Sequence, residues 1–245
     1  MLAYLAFAAV AAAADVAGAA IVTTAHKPSQ ARLRYFVAAG AGFMLAAAFV
    51  RMLPESVHVP HAFVFVVIGY FGIHLFEHTV APHFHFGEEV HQEALLRPSA
   101  GWLALAGLGV HTLFDGVAIA AGFMVSPSLG GVIFLAVLLH KLPEGFTIAS
   151  IMLAGGHSRM AALGAGVVLG ALTLIGAVLT GLFAQAHIAY ALALSAGVTI
   201  YVAASDLIPA VNTREGGVKT SIMVFAGVAL LYLTELVMKA LHFGH

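Results

Sequence analysis

Eight apolar runs, each long enough to cross a lipid bilayer, decide what this chain can become. A spanning helix needs about 20 mostly apolar residues. Such runs lie near 2–24, 34–53, 60–77, 101–125, 130–154, 160–184, 188–210 and 219–242. Within the bilayer every backbone polar group must be satisfied inside the protein, so only helices and closed barrels are stable there. The apolar–polar alternation of a barrel strand is absent. The chain therefore reads as an all-α membrane protein, a single transmembrane domain over 1–245. Composition agrees: 62% of residues are hydrophobic and 9% charged, where a soluble domain carries roughly 25% charged residues. The first run lacks a basic start and is longer than a signal-peptide core, so it reads as a retained helix.

Lysine and arginine orient the spans. Lys27, Arg32, Arg34, Arg97, Arg159, Arg214 and Lys219 all fall in alternate loops, on one side of the membrane. Lys239 alone dissents. That side is the expected cytosol, and both termini are expected outside it. The net charge of −1 gives no reason to expect nucleic acid as a partner, whereas the lipid bilayer is an obligatory one. There are no cysteines, which excludes disulfides, thiolate metal sites and cysteine nucleophiles, while histidine is abundant at 14. The only long loop, 78–100, is a histidine-rich, expected cytosolic segment between spans 3 and 4. It carries His78, His83, His85, His91, Glu88, Glu89 and Glu93.

Two internal repeats stand out. 111-HTLFDGVAIAAGF and 140-HKLPEGFTIASIM share H-x-x-x-acid-G-x-x-I-A. 41-AGFMLAAAFVRMLP in span 2 and 196-AGVTIYVAASDLIP in span 7 share an Ala-Gly start and a final proline. Spans 2 and 7 run in opposite directions, as in the inverted repeats of many transporters. Gly166 and Gly170 in span 6 form a G-x-x-x-G suited to close helix packing.

The first repeat carries the chemistry. Residues four apart share a helix face, so His111 points with Asp115 and His140 with Glu144. Two neighbouring helices then offer two imidazoles and two carboxylates to one point. That donor set suits a borderline divalent cation such as Zn²⁺, whose charge would compensate the buried acids. Pro143 cannot donate to the carbonyl of Leu139 and is expected to kink the helix, freeing that carbonyl to line a polar cavity.

HTLFDG and HKLPEG resemble the paired signatures of the ZIP (Zrt/Irt-like) metal transporters, roughly H-N-x-x-[DE]-G and H-[ED]-x-P-[HE]. The resemblance covers nearly the whole chain. It implies eight transmembrane helices in a 3+2+3 arrangement with inverted repeats, spans 4 and 5 carrying the metal. It implies passage of Zn²⁺ toward the cytosol as the transported substrate. It also implies His111, Asp115, His140 and Glu144 as transport-site ligands, with Met44 of span 2 matching a thioether donor of some relatives. Fe²⁺, Mn²⁺, Co²⁺ and Cd²⁺ bind such ligands too. The plasma (inner) membrane is the expected location, and the sequence leaves room for a homodimer.

Two positions depart from that pattern: Thr112 replaces an asparagine and Lys141 an acid. Span 6 also lacks an acid. In members with two adjacent metals these positions help hold the second ion, so a single-metal site is expected here. The Lys141 ammonium would stand in the second ion's place and neutralise part of the charge of Asp115 and Glu144. Further expectations concern charges elsewhere. The span 2/7 repeat sets Arg51 opposite Asp206, which suggests an ion pair. Glu235 and Lys239, four apart, suggest a local one. Asp15 is unassigned, with a helix-packing hydrogen bond as its plainest reading. His74, Glu77 and His78 share a face and could receive exiting metal. Glu55, His58 and His61 could gather ions at the outer mouth. A rival function is an intramembrane zinc hydrolase using the same ligands with an open position for water. A third is a metal-gated sensor.

Overall fold

The structure, a computed structural model, describes residues 2–24, 30–80, 98–183, 187–211 and 217–240. The proposed chelating part of the histidine-rich loop (His83, His85, His91, Glu88, Glu89 and Glu93) lies outside them, as do Lys27, Arg97 and Arg214. The described residues are helical apart from short turns and contain no strand. Eight helices are long and apolar enough to cross a membrane. In chain order they are α1 (Leu2–Thr23), α2 (Gln30–Ala47, continuing to Ser56), α3 (Ala62–Val80), α4 (Pro98–Val125), α5 (Pro127–Ala154), α6 (Arg159–Phe183), α7 (Ile188–Tyr201, continuing to Val211) and α8 (Gly217–Ala240).

Each matches an expected span to within a few residues, and the differences have local causes. α5 starts three residues earlier than its apolar run because Ser126 caps it. The Ser126 hydroxyl accepts from the Leu129 amide at 3.1 Å, and Pro127 fills the first helical position, where a missing N–H is harmless. One residue thus separates α4 from α5, which forces them into an antiparallel hairpin.

α2 and α7 each pass a proline near their ends. A helical proline offers no N–H and its ring crowds the carbonyl one turn back. Both helices widen just before it, over Ala48–Met52 and Val202–Leu207. The Leu53 amide reaches five residues back to Ala48, and the Ile208 amide to Ala203. The two π-helical turns, a rare form concentrated at functional sites, occupy equivalent places in the span 2/7 repeat.

α5 is the centre of the bundle. In its most apolar window 72% of residues are buried, against 17% in α3 and α8, whose Phe63, Phe71, Leu75, Phe225 and Leu236 point outward, toward lipid. α1 packs on α5 and α6, α4 on α5, α6 and α7, α2 on α5 and α8, and α3 on α7. This set of neighbours is unchanged when α1 is exchanged with α6, α2 with α7, α3 with α8 and α4 with α5.

The register obeys the same exchange, and glycine fixes it. A Cβ on Gly18 would fall 2.1 Å from the Leu142 carbonyl oxygen, and one on Gly145 would fall 1.9 Å from that of Asp15. The partner interface repeats this: Gly176 against Leu113 at 2.0 Å, and Gly116 against Thr173 at 1.9 Å. No real Cβ tolerates such distances, so α1 meets α5, and α6 meets α4, backbone to backbone. Where lipid gives no hydrophobic drive between helices, such close packing is what holds them. Gly42 and Gly227 do the same between α2 and α8, as Gly197 and Gly69 do between α7 and α3. Gly166 and Gly170 of α6 lie on Ala19 and Ala12 of α1, as their spacing suggested.

Two expected ion pairs fail here. Arg51 does not pair with Asp206: its guanidinium donates to Glu235 of α8 at 3.2 Å and to Ser128 of α5 at 3.3 Å. Glu235 is thereby used across helices, and no ion pair with Lys239 forms among the described residues. The reason is the exchange itself: α2 packs on α8, while α7 carries Asp206 toward α3. Pro143 sits within an unbroken α5, and the carbonyl of Leu139 lies against α2, where a Cβ on Gly40 would be 3.3 Å away.

Candidate metal centre

His111 is the fourteenth of 28 residues in α4, and His140 the fourteenth of 28 in α5. The hairpin therefore brings both imidazoles to mid-depth. Helical spacing carries Asp115 and Glu144 onto the same faces, and all four residues are buried. Their ligand atoms lie within 4.8 Å of one another, the only such group of histidines and acids among the described residues.

Three of these atoms form a nearly equilateral triangle. His111 Nε2 is 3.3 Å from His140 Nε2, and Asp115 Oδ2 is 3.2 Å and 3.3 Å from the two nitrogens. With ligands at about 2.0–2.1 Å from zinc, the edge of a coordination tetrahedron is about 3.3–3.4 Å. The triangle has the dimensions of one face of that tetrahedron. His140 Nδ1 donates to the Ala136 carbonyl at 2.9 Å, which fixes the ring and leaves Nε2 facing the cluster.

Glu144 completes the group of four, and Thr112 and Lys141 hold it. The Thr112 hydroxyl donates to Glu144 Oε1. The Lys141 ammonium donates to Glu144 Oε2 at 2.7 Å and to the Thr112 hydroxyl at 3.1 Å. It also lies 2.8 Å from Asp115 Oδ2. Lys141 is wholly inaccessible, so it does not snorkel outward. The two positions that depart from the ZIP signatures thus touch each other, and they do so on the acids of the site.

Sequence reasoning missed the place of Asp15 beside this group. It is fully buried on α1, and neither oxygen has a hydrogen-bond partner, so it is not a packing hydrogen bond. Its Oδ2 lies 3.6 Å from Lys141 Nζ. One signal was present: 15-DVAG in α1 places an acid three residues before a glycine, as 173-TLIG in α6 places a threonine.

Met44 is buried in an apolar cluster with Phe43 and Ala136, flanked by Val110, Phe114 and Leu139, which are neighbours of the site residues on α4 and α5. The span 3 group is not drawn into a metal-ligating cluster. His78 Nδ1 donates to the His74 carbonyl at 2.8 Å, and Glu77 hydrogen-bonds Tyr201 of α7. His58 and His61 are exposed and form no such cluster with Glu55.

The sequence pattern defining the ZIP zinc transporters matches residues 87–235, more than half of the chain. The chain belongs to the ZIP zinc transporter family. It is similar to the zinc transporter foi of Drosophila melanogaster, at 27% identity over 153 residues, covering 60% of this chain and 22% of that protein. It is similar to zinc transporter ZIP9-A of Xenopus laevis, at 29% identity over 195 residues, 74% of this chain and 63% of that one. It is similar to human zinc transporter ZIP5, at 35% identity over 133 residues, 53% and 25%. The chain spans from about a fifth to just under two thirds of the length of these relatives.

Proposed function

We propose that this chain carries a divalent metal ion, zinc before others, across a membrane toward the cytosol. The observation that carries the proposal is the triangle of His111, His140 and Asp115 at mid-depth, with Glu144 beside it. Metal is cargo here: a site whose four residues are all buried must alternate its access to release what it binds. His111, Asp115, His140 and Glu144 are its ligands, and the Met44 thioether assists from α2.

The site takes one ion. Lys141 supports this, because its ammonium already stands between Asp115 and Glu144 where a second cation would need to be. The helices form a 3+2+3 inverted repeat, which the exchange-symmetric neighbours and glycine registers support. α1, α4, α5 and α6 pack on one another and move as one body against α2, α3, α7 and α8, opening the site to each side in turn. Both termini are extracytoplasmic, as the loop cations indicate, and the histidine-rich loop meets the ion after passage. The plasma (inner) membrane is the site of action. The hydrolase alternative is not favoured: Asp115 and Glu144 are both engaged with imidazole, ammonium or hydroxyl, so neither is free to act as a general base.

The test is zinc uptake into proteoliposomes, with wild type set against His140→Ala and Glu144→Ala. Wild type should accumulate zinc down its gradient, and each variant should lose at least nine tenths of that flux. Absence of flux in wild type for every divalent ion tried would end the proposal.

A further inference from the structure

Asp15 is the one acid of the cluster that the transport reading leaves unused. Its carboxylate is 0% exposed and has no hydrogen-bond partner on either oxygen. An isolated buried carboxylate is expensive. The nearest cation, Lys141 Nζ, is 3.6 Å from Asp15 Oδ2 but is spent at 2.8 Å and 2.7 Å on Asp115 and Glu144. Those are the two acids a metal ion would claim. Gly145 makes the approach possible, since its missing Cβ lets the Asp15 backbone of α1 lie against α5 one turn from Lys141.

We infer that Asp15 is the second station of the Lys141 ammonium, taken up when a metal ion enters. The inference rests on the metal-binding reading of the preceding section. A metal ion repels the ammonium and draws Asp115 and Glu144 to itself. The four-carbon lysine stem is flexible, and a shift of under about 1 Å turns the 3.6 Å approach to Asp15 into a hydrogen-bonded ion pair.

Charge makes the same assignment. With Asp15 paired to the ammonium and the imidazoles neutral as ligands, three carboxylates, one ammonium and one divalent cation sum to zero. A second would leave +2 in a medium where unbalanced charge is costly. Without Asp15, the singly loaded cluster would carry +1. Asp15 is thus a positioning residue: it makes loading by one doubly charged ion electroneutral, and it disfavours a monovalent ion by the same count. Removing Asp15 and Lys141 together restores the balance.

The experiment is titration of zinc chloride into the full chain in nanodiscs by calorimetry, reading affinity and ions per chain. Wild type should bind one zinc. Asp15→Asn should bind at least tenfold more weakly, and Asp15→Glu, which keeps the charge, should bind within fivefold of wild type. The double variant Asp15→Asn/Lys141→Met should recover to within fivefold of wild type, although it lacks both groups. That recovery is what a merely structural role for Asp15 would not produce. Asp15→Asn binding as tightly as wild type would overturn the inference and leave the metal site standing. A folded double variant no tighter than Asp15→Asn would also overturn it, and this comparison survives if the single variant fails to fold. Wild type binding no zinc would overturn the metal site itself, and the inference with it.

Discussion

Changing Gly145 to alanine tests the idea that the site is assembled by backbone contact between α1 and α5. The added Cβ would lie 1.9 Å from the Asp15 carbonyl oxygen. Ordinary contact begins near 3.4 Å, so the helices must separate by roughly 1.5 Å, and the obstacle is backbone that no rotamer change can clear. Overpacking of a tight interior costs about 1–3 kcal/mol, and a backbone obstacle belongs at the upper end. Alanine returns about 1 kcal/mol of helix propensity. The net loss is about 2 kcal/mol, which for a chain of this size lowers Tm by ~4–8 °C. The same displacement carries Asp15 away from Lys141. Thermal unfolding in detergent, followed by tryptophan-independent far-ultraviolet circular dichroism, measures the shift. Gly164→Ala is the control, because a Cβ there meets nothing within 4 Å, and it should be neutral or raise Tm. A Gly145→Ala protein as stable as wild type would refute the close-contact argument, and a destabilised Gly164→Ala would show that the assay reads something else.

Three further outcomes follow from the same geometry. Thr112→Val removes the hydroxyl between Lys141 and Glu144, and zinc affinity by calorimetry should fall about 10–100-fold, as for other residues that orient metal ligands. Arg51→Ala should destabilise by ~1 kcal/mol in thermal unfolding, while exchanging the charges, Arg51→Glu with Glu235→Arg, should regain part of that loss; Asp206→Asn should add independently to Arg51→Ala, because the two side chains are not partners. Ser126→Ala, at the hairpin that joins α4 to α5, should lower stability by about 1 kcal/mol without changing zinc stoichiometry.

The eight spans were legible because membrane burial writes itself into composition: about 20 apolar residues in a row admit few other structures. The four donor residues were legible for a related reason. His111 with Asp115 and His140 with Glu144 repeat one helical spacing, and spans ending near 125 and starting near 130 leave room only for a short turn between their helices. Lys141 was legible as a charge beside the site, since it follows His140 directly. Its contact with Thr112 was not, because that depends on the rotation of α5 against α4.

Partnerships between distant helices were decided elsewhere. Arg51 looked toward Asp206 because the two occupy matching places in a repeat, but a repeat relates positions without making them touch. Which helices touch is set by where glycine lets backbones approach, and α2 approaches α8. Asp15 shows the same limit. In the sequence it is a lone acid in an apolar run, with nothing nearby to compensate it. Only the close backbone approach of α1 and α5, at Gly18 against Leu142 and Gly145 against Asp15, brings it within 3.6 Å of an ammonium 126 positions away. Sequence fixed what each helix is, since burial and helical periodicity are local properties. Tertiary packing alone decided which charges face one another, since that turns on contacts of about an ångström between segments far apart in the chain.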